Sequence, residues 1–164
     1  AKSKVKAHLA NGFLVKGEVD AIYYSPAPRA KETATILANI LDVSEMKELN
    51  YLKEIAFNPK KLVQSAVFKR RGMDAIREAV YKAIEQDMAD ETTATLVARI
   101  RQLQALLAAN NGRTIVVVTH GFFMRLLQIA LLHNKLTFTV SDQKQAINYD
   151  YLQGFVYTQG ESND

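Results

Sequence analysis

Arg29 and His120 are the residues of this sequence whose type and setting suit phosphoryl chemistry. Each stands just beyond an apolar run and at the opening of a helical pattern. The first segment is Tyr24-Ser25-Pro26-Ala27-Pro28-Arg29 and the second is Val118-Thr119-His120-Gly121. A helix N-terminus presents unpaired backbone N–H groups and partial positive charge, so both junctions suit an anion such as phosphate. A guanidinium adds a planar fork that binds two phosphate oxygens at once. An imidazole donates a hydrogen bond, or holds charge, against a phosphoryl group in transfer. Taken singly, Arg29 also reads as a helix-surface arginine and His120 as a satisfied histidine at a strand end. Two such junctions in one chain point instead to a phosphoryl-transfer site.

The elements that must position this pair are visible as periodicities. Asp20–Tyr24 is a short apolar and aromatic run bounded by Gly17 and Pro26, which predicts a buried strand. Pro28 holds Ala27 extended, and a helix then opens with Arg29 in its first turn, its face made of Ala30, Thr33, Ala34, Leu37 and Leu41. Thr114–Thr119 is β-branched throughout, as strands buried on both faces are, and it turns at His120-Gly121 into a helix over Phe122–His133. Helices are also expected over Ser3–Gly17, Lys60–Phe68, Met73–Gln86 and Thr92–Asn110, the last with a stripe of Leu96, Ile100, Leu103 and Leu107. Leu49–Phe57 reads as a loop or short extended piece. Ala146–Tyr149 and Gly154–Thr158 read as closing strands, and Glu161–Asp164 as a mobile tail. Alternating strands and helices predict an α/β three-layer sandwich, a mostly parallel sheet with helices on both sides. Ligands in such folds gather at the carboxyl ends of the strands. If the two junction strands run parallel, Arg29 and His120 meet on one rim.

Composition bounds the alternatives. The 164 residues, 48% hydrophobic and 23% charged, suffice for one substantial core, and no repeat or linker-like tract divides them, so residues 1–164 read as a single domain. The longest apolar runs are broken by His120, Arg125 and Gln128, short of the roughly 20 residues a membrane span needs. With zero cysteines and no secretion-signal pattern, no disulfide framework or thiolate metal site arises, and the expected location is cytoplasmic. A net charge of +4 suits an anionic small substrate and is too weak to argue for nucleic acid.

The two junction segments carry a resemblance. Tyr24-Ser25-Pro26-Ala27-Pro28-Arg29-Ala30-Lys31-Glu32-Thr33-Ala34 resembles the Ser-Ser-Pro-x-x-Arg-Ala-x-x-Thr-Ala segment of the histidine phosphatases of the phosphoglycerate-mutase-like superfamily, with Tyr24 in place of the first serine. Val118-Thr119-His120-Gly121 resembles their second-histidine motif. Between them, Leu52-Lys53-Glu54-Ile55-Ala56-Phe57 is similar to the segment that supplies the family's proton donor, with Asn58 where glycine usually follows. The resemblance implies a reaction at two histidines and two arginines, without metal or cofactor. One histidine attacks phosphorus, a carboxylic acid protonates the leaving oxygen, and water releases phosphate from the phosphohistidine. It assigns phosphate clamping to Arg29, charge stabilisation to His120, the acid to Glu54, and a further N–H to Gly121.

The family's Arg-His-Gly motif, bearing the nucleophile, has no counterpart upstream of Val5; His8 sits in a helical pattern with no strand before it or glycine after it. A strand and loop of roughly 15–40 residues carrying that motif is therefore expected upstream of this sequence, and the chain without it is expected to be inactive, with a disturbed sheet. Glu54-Ile55-Ala56-Phe57-Asn58 lacks the Arg-His-Tyr of the mutases, which favours a metal-independent phosphatase over mutase-type transfer or a phosphate-binding pseudophosphatase. The resemblance leaves specificity to Phe57–Arg71 and Lys135–Asn148. The expected partner is a phosphorylated small molecule or a phosphoprotein. Lys69-Arg70-Arg71 reads as a solvated helix end, His133 as a residue interacting with a helix dipole, and Phe122-Phe123 as one core and one pocket-wall ring.

Overall fold

The structure, a computed structural model, describes residues 14–146 and 153–159. The elements run β1 (Ala21–Tyr24), α1 (Pro28–Leu41), β2 (Glu45–Glu48), a 3₁₀ turn (Asn50–Leu52), α2 (Pro59–Leu62), α3 (Ser65–Arg71), α4 (Met73–Glu85), α5 (Thr93–Ala109), β3 (Ile115–Val118), α6 (Gly121–Leu132) and α7 (Val140–Gln145). The three strands form a parallel sheet in the order β2-β1-β3.

β1 shows why the sheet is covered on both sides. Side chains alternate across a strand, and all four residues of β1 are buried. Ala21 and Tyr23 face a cluster built with Ile76, Val80, Ile84, Leu96, Ile100, Leu103, Phe123 and Leu126 of α4, α5 and α6. Ile22 and Tyr24 face the opposite cluster, where α1 contributes Ala34, Leu37 and Leu41. Fully burying one such aliphatic or aromatic side chain is worth roughly 1.5–3 kcal/mol. The two clusters, more than the four-residue ladders, therefore hold the strands in place. The expected α/β architecture, a parallel sheet flanked by helices, is the one observed.

β3 is only half-buried along its length. Among the described residues one of its edges is paired, with β1. Among the described residues, too, no helix is long and apolar enough to cross a membrane.

Several local expectations need correction. Lys60–Phe68 is not one helix. Asn58 caps Lys60 and Pro59 opens α2, but Val63 is extended at φ −134° and the chain restarts as α3 at Ser65. Residues 153–158 form no strand; Val156 is 67% exposed, and without a neighbouring strand there is no ladder to bury it. Ala146 caps α7, and the rest of the expected strand to Tyr149 lies outside the described residues. So does the expected first helix with His8, except for residues 14–17, which turn at Gly17 with φ 86° and are not helical. β2 and α7 were not anticipated. β2 reads Glu-Met-Lys-Glu, an exposed edge with no apolar alternation, and α7 is a six-residue helix capped by Thr139.

Candidate active site

The parallel register sets the rim. Tyr24 pairs with Val118, and the ladder extends one step as the Ser25 N–H donates to the Val118 carbonyl at 2.9 Å. Both chains then leave the sheet in the same direction and enter α1 and α6. In neither helix does the residue preceding the first turn cap it with its own side chain, and neither first turn holds an acidic residue. Pro28 at the start of α1 needs no N–H partner, and its fixed φ suits the first helical position.

Arg29 and His120, 91 residues apart in sequence, meet here: an Arg29 Nη lies 3.1 Å from His120 Nδ1. His120 Nε2 lies 2.7 Å from Ser25 Oγ, which also accepts from the Ala27 N–H at 3.3 Å. A guanidinium only donates, so Nδ1 is the acceptor, and Nε2 therefore carries the proton and donates to Ser25. The ring is therefore a neutral imidazole of defined tautomer. Burial pushes its proton affinity down, and the positive charges of Arg29 and Arg99 push it further. The folded imidazole holds a proton less tightly than the unfolded one. His120 thus contributes stability above its ordinary value near 6.5, and that stability is lost as pH falls below it. In an NMR titration of the ring, Arg29→Met is expected to move the His120 midpoint upward. An unchanged midpoint would mean that Arg29 does not act on this ring.

Glu54 arrives from the loop after the 3₁₀ turn. Its Oε2 accepts from the Phe122 N–H at 3.2 Å, and its Oε1 from the Phe123 N–H at 2.9 Å and from its own neighbour Ile55 at 3.0 Å. The loop is tied to the end of β3 by Thr119 Oγ1, which donates to the Leu52 carbonyl at 2.6 Å. Two N–H groups of the α6 N-terminus, expected to serve an anion from outside, are thus taken by this carboxylate. Burial raises the Glu54 proton affinity above its ordinary value, against the three N–H donors and Arg29, which pull it down.

Gly121, the first residue of α6, is exposed, and its N–H has no carbonyl within the helix to reach. A Cβ built on it would meet nothing within 4 Å. Phe123 is fully buried, while Phe122 is half-buried edge-on to Phe57 at 5.2 Å. Arg71 pairs with Glu78 on the surface, and His133 caps the end of α6.

The structure therefore brings together Arg29, His120 and, at the neighbouring helix N-terminus, Glu54 and Gly121. Ser25 and Thr119 were present in the quoted segments but were not singled out. The buried pair Arg99 and Glu91 was missed. Its signal lay in the α5 periodicity, where Leu96, Arg99 and Leu103 fall on one buried face. A charged residue on such a stripe demands a partner.

The family model of the histidine phosphatase superfamily (branch 1) matches residues 1–144 of the chain. No curated protein matches it.

Proposed function

Because the chain belongs to the histidine phosphatase superfamily, we propose that it hydrolyses a phosphomonoester, of a small molecule or a phosphoprotein, through a phosphohistidine. The observation that carries this reading is the 3.1 Å contact between Arg29 and His120 where the N-termini of two helices meet. The arginine's fork is turned to an imidazole. An incoming phosphate dianion draws the guanidinium to its own oxygens, a stronger and two-point partner. Nδ1 of His120 is then released beside an anion that favours the imidazolium, so the ring takes up a proton and donates it as a hydrogen bond to the phosphoryl oxygen.

The nucleophile is a second histidine, supplied from outside the described residues. Its ring nitrogen attacks phosphorus as the P–O bond to the leaving group breaks, and Glu54 gives its proton to the departing oxygen. In the second step water attacks phosphorus, the Glu54 carboxylate takes the water proton, and the P–N bond breaks to free phosphate and the histidine. Charge on the transferring group is met by Arg29, His120 and the Gly121 N–H.

The test is phosphate release from p-nitrophenyl phosphate by the native protein in EDTA, with rapid quenching to trap the phosphoenzyme. Turnover with an acid-labile phosphoprotein is the expected result. Turnover abolished by EDTA, or no turnover and no acid-labile label, would overturn the proposal.

A further inference from the structure

We propose that Arg99, on α5, is a positioning residue that sets the aim of Glu54; the inference rests on the reading of Glu54 as the proton donor. Arg99 is 5% exposed and Glu91 8% exposed. Arg99 Nη1 holds both Glu91 carboxylate oxygens at 2.7 and 2.8 Å. Its remaining donors go to the Glu54 loop: Nε to the Tyr51 carbonyl at 3.1 Å and Nη2 to the Lys53 carbonyl. Glu91 completes the grip from the other side, its Oε2 accepting from the Ala56 N–H at 3.2 Å. The loop is therefore held at residues 51, 53 and 56, on both sides of Glu54. The same guanidinium lies 4.1 Å from the centre of the Phe123 ring, and Phe123 is the residue whose N–H donates to Glu54 Oε1.

Stability does not account for this arrangement. A buried ion pair recovers little more than the desolvation it costs, and an apolar pair of the same volume often does as well. What only arginine offers is a rigid planar fork with donors in several fixed directions. Here those directions are spent on the carbonyls that frame one carboxylate. Lysine at the same place keeps the charge and loses the geometry.

The leaving group separates positioning from mere structure. Nitrophenolate departs without a proton, whereas an alkoxide needs one, and kcat/KM reports the steps up to that departure. In the native protein, Glu54→Gln is expected to lower kcat/KM for an alkyl phosphate about 10²–10⁴-fold and that for p-nitrophenyl phosphate far less, while kcat falls for both because Glu54 also takes the water proton in the second step. Arg99→Lys is expected to lower the alkyl phosphate value on the order of 10²-fold, as misplacement by about 1 Å does, while leaving p-nitrophenyl phosphate within about threefold. In the Glu54→Gln background Arg99→Lys should then add almost nothing. Equal losses on both substrates, or losses that add to those of Glu54→Gln, would overturn the proposal. If Glu54→Gln itself treats the two substrates alike, the acid role fails first, and that failure is visible without any Arg99 variant. Should Arg99→Lys not fold, the apolar pair R99M/E91M removes the clamp without leaving a buried charge, and the same two-substrate comparison decides.

Discussion

Replacing His120 with alanine is expected to lower kcat for p-nitrophenyl phosphate about 10²–10³-fold, the usual effect of removing one donor that meets charge developing in transfer. The ring is placed for that role by contacts on both nitrogens: Ser25 at 2.7 Å on Nε2 and Arg29 at 3.1 Å on Nδ1. Alanine removes the donor and also leaves Arg29 without the ring it contacts at 3.1 Å. His120→Asn keeps a donor but no proton that can be taken up, so it should retain part of the rate with a flattened pH profile below neutrality. Because His120 is buried and Ser25 loses its partner, a stability loss of roughly 1 kcal/mol is expected alongside. Urea unfolding of the same preparations separates that loss from the kinetic one. A kcat for the alanine variant within about threefold of the native value would remove His120 from the chemistry.

The second large effect concerns Arg29. Two charge-assisted hydrogen bonds to phosphate, at about 1.5–3 kcal/mol each, predict a loss of roughly 10²–10⁴ in kcat/KM for Arg29→Ala. Inhibition by inorganic phosphate should weaken in parallel, since the same contacts hold the product. Arg29→Lys keeps the charge but not the fork, and should recover only part of the loss. Arg29 is exposed, so neither variant should shift stability beyond about 0.5 kcal/mol, and the kinetic result can be read without a folding correction. Phosphate inhibition unchanged in Arg29→Ala would show that the arginine serves the surface of α1 and not the anion.

These two residues were legible in the sequence because their signals are local. A proline at the start of α1, a β-branched run before His120 and a glycine after it mark strand-to-helix junctions whatever the rest of the chain does. Helix boundaries at Met73–Glu85, Thr93–Ala109 and Gly121–Leu132 followed for the same reason to within a residue of expectation, from a 3.6-residue apolar stripe. β2 escaped notice because Glu-Met-Lys-Glu has no such stripe. It is a strand because β1, buried on both faces, offers an open edge at Ala21–Tyr24 in register with Glu45–Glu48. Glu54 was found through likeness to a family segment, and nothing in its spacing said what its carboxylate would touch.

By itself, then, the sequence determined the alternation of strands and helices, the family, and the two junctions at which Arg29 and His120 stand, since periodicity and turn chemistry act over a few residues. The tertiary structure alone decided that Glu54 occupies the α6 N-terminus expected to be free, that Arg29 fixes the His120 tautomer, and that Arg99 and Glu91 clamp the loop between. Those contacts join residues 8 to 91 positions apart. They form because the parallel register of β1 and β3 brings their carrier elements to one edge of the sheet, and a register is set by packing over the whole core.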